Sequence, residues 1–234
     1  MTATIDTDQP PRPAVVIPLT IAGAFGHLPE LTDEAVRAAR EAEIAGDGAV
    51  LVLRARGGRV HVPGETGIHQ VSKWEQALRR LERLPVPIVT MTDGVLNGPG
   101  LEAMLVADYR IATEDLDLDL SQADGSMWPG MAVHRLAQQI GVARSRRLVL
   151  FGRPVGPAEA LEIGLVDEVV APGAAAEQAL AEAVELAASK RGPELAVRRR
   201  LLIDAITTEY EESLGAHLSA CNRALELTRA GDAS

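Results

Sequence analysis

Ile88 to Ala112 reads IVTMTDGVLNGPGLEAMLVADYRIA. Ile88 and Val89 open an apolar, β-branched run, Asp93-Gly94 and Asn97-Gly98-Pro99-Gly100 are turn formers, and Leu101, Met104 and Leu105 keep helical spacing up to Asp108, where a second strand-like run begins. The stretch predicts a strand, a tight loop and the N-terminus of a helix. Backbone N–H groups and the positive end of the helix dipole converge at such a junction, which suits an anion or an oxyanion.

Upstream, Val71, Trp74, Leu78, Leu81 and Leu84 follow helical spacing with charges on the opposite face, and Pro85 and Pro87 stop that helix. Before it, residues 54–68 (RARGGRVHVPGETGI) are loop-like, and Ala49–Leu53 is an apolar run without alternation, the pattern of a strand buried on both faces. Thr32-Asp33-Glu34 predicts a helix start by cap and first-turn acids, continued by Ala35, Ala38, Ala39 and Ala42 to Gly46, and Ala14–Ile21 predicts a first strand. Strand, helix, strand with short links favours an α/β arrangement with crossovers.

Downstream, Leu116–Leu120 carries alternating Asp117 and Asp119 and predicts an edge or half-exposed strand. A loop with Gln122, Trp128, Pro129 and Gly130 leads to two amphipathic pieces, Met131–Ile140 and Ala143–Phe151. Gly152-Arg153-Pro154 is a turn, Pro157 begins a helix that Gly164 ends, and Leu165–Val170 is a last strand. From Ala174 to Ala230 the pattern is helical, broken at Gly192-Pro193. The expected organisation is a disordered arm over residues 1–13, a core over 14–172 and a helical region over 173–234.

Of 234 residues, 47% are hydrophobic, enough for one domain with a sizeable core and a smaller appendage. A net charge of −10 argues against a nucleic-acid or anionic-membrane surface, though a local basic pocket can still hold a phosphorylated ligand. Cys221 is the lone cysteine, which leaves no disulfide framework and no cysteine-based metal site. His61, His69 and His134 have no metal-ligand spacing, so no metal is expected. MTATIDTDQPPRP lacks the order of a signal peptide, and no apolar run reaches the roughly 18–20 residues of a membrane span. The expected location is the cytoplasm.

Four segments, in order, resemble the crotonase superfamily of enoyl-CoA hydratases and isomerases. Val62-Pro63-Gly64-Glu65-Thr66 is similar to its A-G-x-D loop, and Asp93-Gly94 through Glu102 to Asp108 to its N-G-x-x-x-G-G-G-x-E turn and following aspartate. Trp128-Pro129-Gly130 through His134-Arg135-Leu136 resembles P-G-x-G-G-x-x-R-L, one residue short. The most specific segment runs from Arg147 to Val170 and resembles L-x-G-x-x-x-x-A-x-E-A-x-x-x-G-L-V-x-x-V almost without departure. The resemblance covers about residues 14 to 190.

It implies an α/β fold, a spiral of ββα units with a C-terminal helical oligomerisation region, assembled as homo-trimers or hexamers. It implies an acyl-CoA substrate, with coenzyme A as part of that substrate and no separate cofactor. Two backbone N–H groups would form an oxyanion hole for the thioester carbonyl, and carboxylates would move protons at the adjacent carbons.

Carried over by position, the first donor falls on Glu65 and the second on Pro99, which has no N–H. Either the donor is lost or Gly98 or Gly100 donates instead. Pro99 also has a purely structural reading, because proline is favourable in a first helical turn. Glu102 falls on the first catalytic acid, where the helix dipole would favour its ionised form, although first-turn Glu often only complements the dipole. The second acid position falls on Gln122, which can orient water or a carbonyl but cannot take up a proton. Asp124 and Glu65 are weaker loop candidates for proton transfer. Arg144-Ser145-Arg146-Arg147 and Arg198-Arg199-Arg200 could capture CoA phosphates or simply face solvent and neighbouring subunits.

These features imply an enoyl-CoA hydratase or dehydratase-like lyase with non-standard chemistry, or an isomerase using the single acid Glu102. The compact length with Pro99 and Gln122 resembles the small hydratase-like subunits of 3,5-dihydroxyphenylglycine biosynthesis in antibiotic-producing bacteria. That likeness implies assistance in dehydration and aromatisation of a polyketide thioester to 3,5-dihydroxyphenylacetyl-CoA, beside a polyketide synthase or another crotonase partner. The same two departures also suit a catalytically silent partner subunit of a thioester-enzyme complex.

Overall fold

Val50, Leu51, Val52 and Leu53 have no polar face to turn outward, and they lie buried on both sides of a parallel sheet. The computed structural model describes residues 14–22, 27–58, 66–121, 127–190 and 193–232. β1 (Val15–Ala22) leads through α1 (Leu28–Ala45) and a 3-10 turn at Gly46–Gly48 to β2 (Ala49–Arg56). Then come α2 (Ile68–Glu82), β3 (Ile88–Asp93), β4 (Val95–Leu96), α3 (Gly98–Met104), β5 (Tyr109–Thr113) and β6 (Asp117–Leu118). α4 (Gly130–Phe151), α5 (Pro157–Glu162), β7 (Glu168–Val170), α6 (Ala174–Ser189), α7 (Pro193–Asp204) and α8 (Tyr210–Asp232) complete the order.

The main sheet runs β1-β2-β3-β5-β7 with every neighbour parallel, and β4 and β6 form a second, two-stranded parallel sheet. Alternation along β2 sends Ala49, Leu51, Leu53 and Ala55 into the core shared with α1, α2 and α3, and Val50 and Val52 into a second core under α6. Both faces are therefore covered, as crossover connections require. β2 and β3 finish in register at Arg56 and Asp93, whose side chains pair at 2.7 Å, and α3 begins just beyond that edge.

Several boundaries differ from the sequence expectation. α1 starts at Leu28 rather than at the Thr32 cap, because Pro29 sets the first turn and Leu28 and Leu31 are buried. Thr32 consequently sits inside the helix, its hydroxyl buried without a partner among the described residues. α2 starts three residues before Val71, at Ile68, where Gln70 Oε1 accepts from the Gly67 N–H at 2.9 Å.

The expected edge strand Leu116–Leu120 shrinks to the two residues of β6. Leu116, Leu118 and Leu120 are buried, and Asp119 is buried too, accepting the Ser121 N–H at 2.8 Å instead of facing solvent. The two amphipathic pieces join as α4, kinked at Gly141, which has φ +79°. α7 and α8 are separated by a turn in which the Thr208 hydroxyl donates to the Asp204 carbonyl at 2.6 Å, a local competitor of the helix that apolar periodicity does not reveal. Among the described residues no helix is long and apolar enough to cross a membrane. The expected arm, residues 1–13, lies outside the described residues.

Candidate active site

Asn97 sits between β4 and α3 in extended conformation, 3% exposed. Its amide nitrogen donates to the Ser121 carbonyl at 2.8 Å, and its Oδ1 accepts the Gly98 N–H at 2.5 Å. Gly98 has φ +52°, a left-handed value that glycine adopts at no steric cost. The Leu101 N–H reaches back to the Asn97 carbonyl at 3.4 Å. Of the three positions in between, Gly98 is therefore engaged and Pro99 has nothing to donate. The Gly100 N–H takes no partner among the described residues.

The end of β2 presses directly on this turn. A Cβ on Gly57 would stand 2.8 Å from the Asn97 nitrogen, and one on Gly100 would stand 2.8 Å from the Arg56 carbonyl oxygen. Both contacts are backbone to backbone, so the two glycines permit the close approach. Every residue of α3 is buried.

Glu102 projects from the first turns of α3 and is 2% exposed. The Trp74 indole N–H, itself fully buried on α2, donates to Glu102 Oε2 at 2.7 Å. Oε1 lies against the Gly130 backbone, where a Cβ would collide with it, and Gly130 also packs on the Trp128 ring. Burial pushes the Glu102 carboxyl from its ordinary 4.5 up to about 7. The charge of Glu75 adds to the rise, while the Trp74 hydrogen bond and the Arg135 charge oppose it. The helix dipole was expected to favour the ionised form; in the folded protein desolvation outweighs it.

Behind Glu102 lies an ion cluster between α2 and α4. Arg135, 6% exposed, donates from Nε to Glu82 Oε1 at 2.7 Å and from a terminal nitrogen to Glu75 Oε2 at 3.0 Å. Arg79 donates to Glu82 Oε2 at 2.8 Å. Burial raises the Glu75 carboxyl against the pull of Arg135; for Glu82 burial acts the same way, but Arg135 and Arg79 outweigh it and hold the group low.

Glu102, Gly98, Pro99 and Gly100 thus stand together at one helix start. Glu65 and Gln122, with Asp124 and His61, lie outside the described residues. The described flanks reach the turn: Gly57 packs on Asn97, and Ser121, the neighbour of Gln122, accepts from the Asn97 amide and bridges to Met127. The basic clusters separate, with Arg199 on Asp108, Arg200 on Asp204 and Arg147 near Glu159. His134 is exposed on α4. Sequence reasoning placed Trp74 only in a hydrophobic stripe and passed over Glu75. The signal for Trp74 was its indole N–H, which needs an acceptor once buried.

Comparison with known proteins identifies the family. A family model described as enoyl-CoA hydratase/isomerase matches residues 64–230. A protein named enoyl-CoA-hydratase from Amycolatopsis orientalis is 46% identical over 155 residues, covering 66% of this chain and 70% of its own. Among solved structures, an enoyl-CoA hydratase from Bacillus anthracis superposes with a TM-score of 0.71 at 24% identity, over 84% of this chain and 81% of that one. One from Polaromonas sp. JS666 gives 0.74 at 19% identity, over 92% and 91%. The fold is that of the crotonases, and the chain belongs to the enoyl-CoA hydratase/isomerase family.

Proposed function

We propose that the chain is an acyl-CoA thioester enzyme that dehydrates 3-hydroxyacyl thioesters, or hydrates the enoyl products, with Glu102 as its one proton carrier. The observation that carries this reading is Glu102 itself, a buried carboxyl poised near neutrality at the start of α3. A general base works best when its pKa lies near the working pH. In the dehydration direction Glu102 takes the C2 proton, the electron pair moves onto the thioester oxygen as an enolate, and the C3–O bond then breaks. The proton held by Glu102 leaves with the hydroxyl as water, so one carboxyl acts twice and no second acid is required. This suits a chain whose second acid position holds Gln122.

The enolate oxygen needs donors. The Gly100 N–H, free among the described residues, is our candidate in place of Pro99, with the Glu65 N–H as the other. Each well-placed donor of this kind contributes roughly 2.7–4 kcal/mol. Acidic Asp124 and the arginine clusters have no part in this reading.

The finer assignment is dehydration and aromatisation of a polyketide thioester to 3,5-dihydroxyphenylacetyl-CoA, beside a polyketide synthase or a second crotonase chain. Pro99 and Gln122 support it, because a hydroxyl flanked by the thioester on one side and a ketone on the other leaves more readily and demands less of the donors and acids. The test compares crotonyl-CoA hydration with dehydration of a 3-hydroxy-5-oxoacyl-CoA, in wild type and Glu102→Gln. The amide is expected to lower both rates by about 10²–10⁴-fold, and the oxo substrate is expected to be preferred. Equal background rates in both proteins would leave the chain a catalytically silent partner subunit.

A further inference from the structure

Trp74 and Glu75 are consecutive on α2, yet they serve opposite ends of one cluster: Trp74 hydrogen-bonds Glu102, and Glu75 is clamped by Arg135 of α4. We propose that Glu75, held by Arg135 beside the buried Glu102 carboxyl, is a positioning residue that makes Glu102 a stronger base. The inference rests on the proton-carrier role of Glu102 and adds the residue that sets its proton affinity.

A charge count supports it. Three carboxyls, Glu75, Glu82 and Glu102, share two guanidinium groups, Arg135 and Arg79. Glu82 takes a hydrogen bond from each arginine, and Glu75 takes one from Arg135. Among the described residues Glu102 takes its hydrogen bond from the neutral Trp74 indole, while the guanidinium bonds go to Glu75 and Glu82. One negative charge is therefore left uncompensated, and in a low-dielectric cluster a proton relieves it most cheaply at the deepest carboxyl. Glu102 is that carboxyl, 2% exposed, whereas the Glu75 and Glu82 side chains are 19% and 12% exposed.

The second oxygen of Glu75 strengthens the effect. Its Oε1 is buried without a hydrogen-bond partner among the described residues, so the charge there is not quenched by a donor. Among the described residues the charged groups acting on Glu102 are Glu75 from α2 and Arg135 from α4, beside the neutral Trp74 donor and the Gly130 backbone. Those facing Glu75 are Arg135, Glu82 and Glu102, and its cavity of about 490 Å³ is also bordered by Arg79, His134 and Asp204. Glu75 thus stands between a nearly dry carboxyl and a cavity between α2, α4 and α7.

The test is a carbon-13 titration of the full chain labelled at glutamate, with the Glu102 signal identified by its loss in Glu102→Gln. Glu75→Gln keeps the shape and an acceptor for Arg135 but removes the charge. It is expected to move the Glu102 midpoint down by about one pH unit, and the acid limb of crotonyl-CoA hydration with it. Glu82→Gln, which loosens the same arginine, is expected to move it less than half as far, and Glu75→Asp to restore the wild-type midpoint. An unchanged midpoint in Glu75→Gln, an equal shift in Glu82→Gln, or a wild-type midpoint in the ordinary carboxylate range would each overturn the proposal. If Glu75→Gln does not fold, the wild type decides: coupled carboxyls titrate in two steps, and a single independent step for Glu102 would count against it. Failure of the catalytic reading shows separately, as unchanged rates in Glu102→Gln.

Discussion

At Glu102 the proposed proton transfer is set against stability. The folded state binds this proton more tightly than the unfolded chain, because burial raises the group from 4.5 to about 7. Stability must therefore fall as pH rises through that window, with the cost absent below it and complete above it. The size is on the order of 3 kcal/mol for a shift of this kind. Glu102→Gln should remove the cost: thermal melts are expected to show the variant more stable than wild type at pH 8 and the difference gone near pH 4. A variant less stable than wild type at pH 8 would mean that the carboxylate is paired and favourable. The position of Glu102 at the start of α3 was legible in the sequence, but the rise of its pKa was not. That rise depends on Trp74, Glu75 and Arg135, which lie 28, 27 and 33 residues away in the chain and meet it only after packing.

At the level of elements, the turn exists because the end of β2 and the start of α3 touch through backbone. The distances at Gly57 and Gly100 leave no room for a side chain. Gly100→Ala is expected to destabilise the fold by about 1–3 kcal/mol in urea denaturation, because neither the Arg56 carbonyl nor the helix can yield cheaply. An unchanged midpoint would show that the two backbones are further apart. The strand–turn–helix order of residues 88–112 was readable because β-branched runs, Asn-Gly-Pro-Gly and helical spacing all agree there. Where local signals competed with burial, burial prevailed: Leu28 and Leu31 pulled α1 past its Thr32 cap, and Leu116, Leu118 and Leu120 drew Asp119 inward. That the Gly98 N–H is already taken was also beyond the sequence, since it turns on one Asn97 hydrogen bond.

For the whole molecule, one arginine ties the C-terminal helices to the core. Arg199 of α7 forks onto Asp108 and donates to the Leu84 carbonyl at 2.5 Å and the Val86 carbonyl at 2.9 Å, while Asp108 accepts the Ile88 N–H at 2.8 Å. The basic run Arg198-Arg199-Arg200 had left phosphate capture and a solvent- or subunit-facing role open; Arg199 neutralises an aspartate and holds carbonyls of the link between α2 and β3. Beyond it, Leu202 of α7, Ile206 of the following turn and Leu214, Leu218, Leu225 and Leu227 of α8 stand exposed, and exposed apolar side chains gathered in one region mark an interaction surface. Sedimentation of the full chain at micromolar concentration is expected to give a trimer or hexamer, weakened by Leu218→Glu; a stable monomer would contradict a subunit interface here.

The most direct measurement is exchange of the C2 protons of butyryl-CoA in deuterated water, followed by NMR across pH 5 to 9, because it reads enolate formation without requiring hydration. Wild type is expected to exchange with a rise centred near pH 7, and Glu102→Gln to be slower by about 10² or more. Exchange at the same rate in both proteins would contradict Glu102 as the proton carrier.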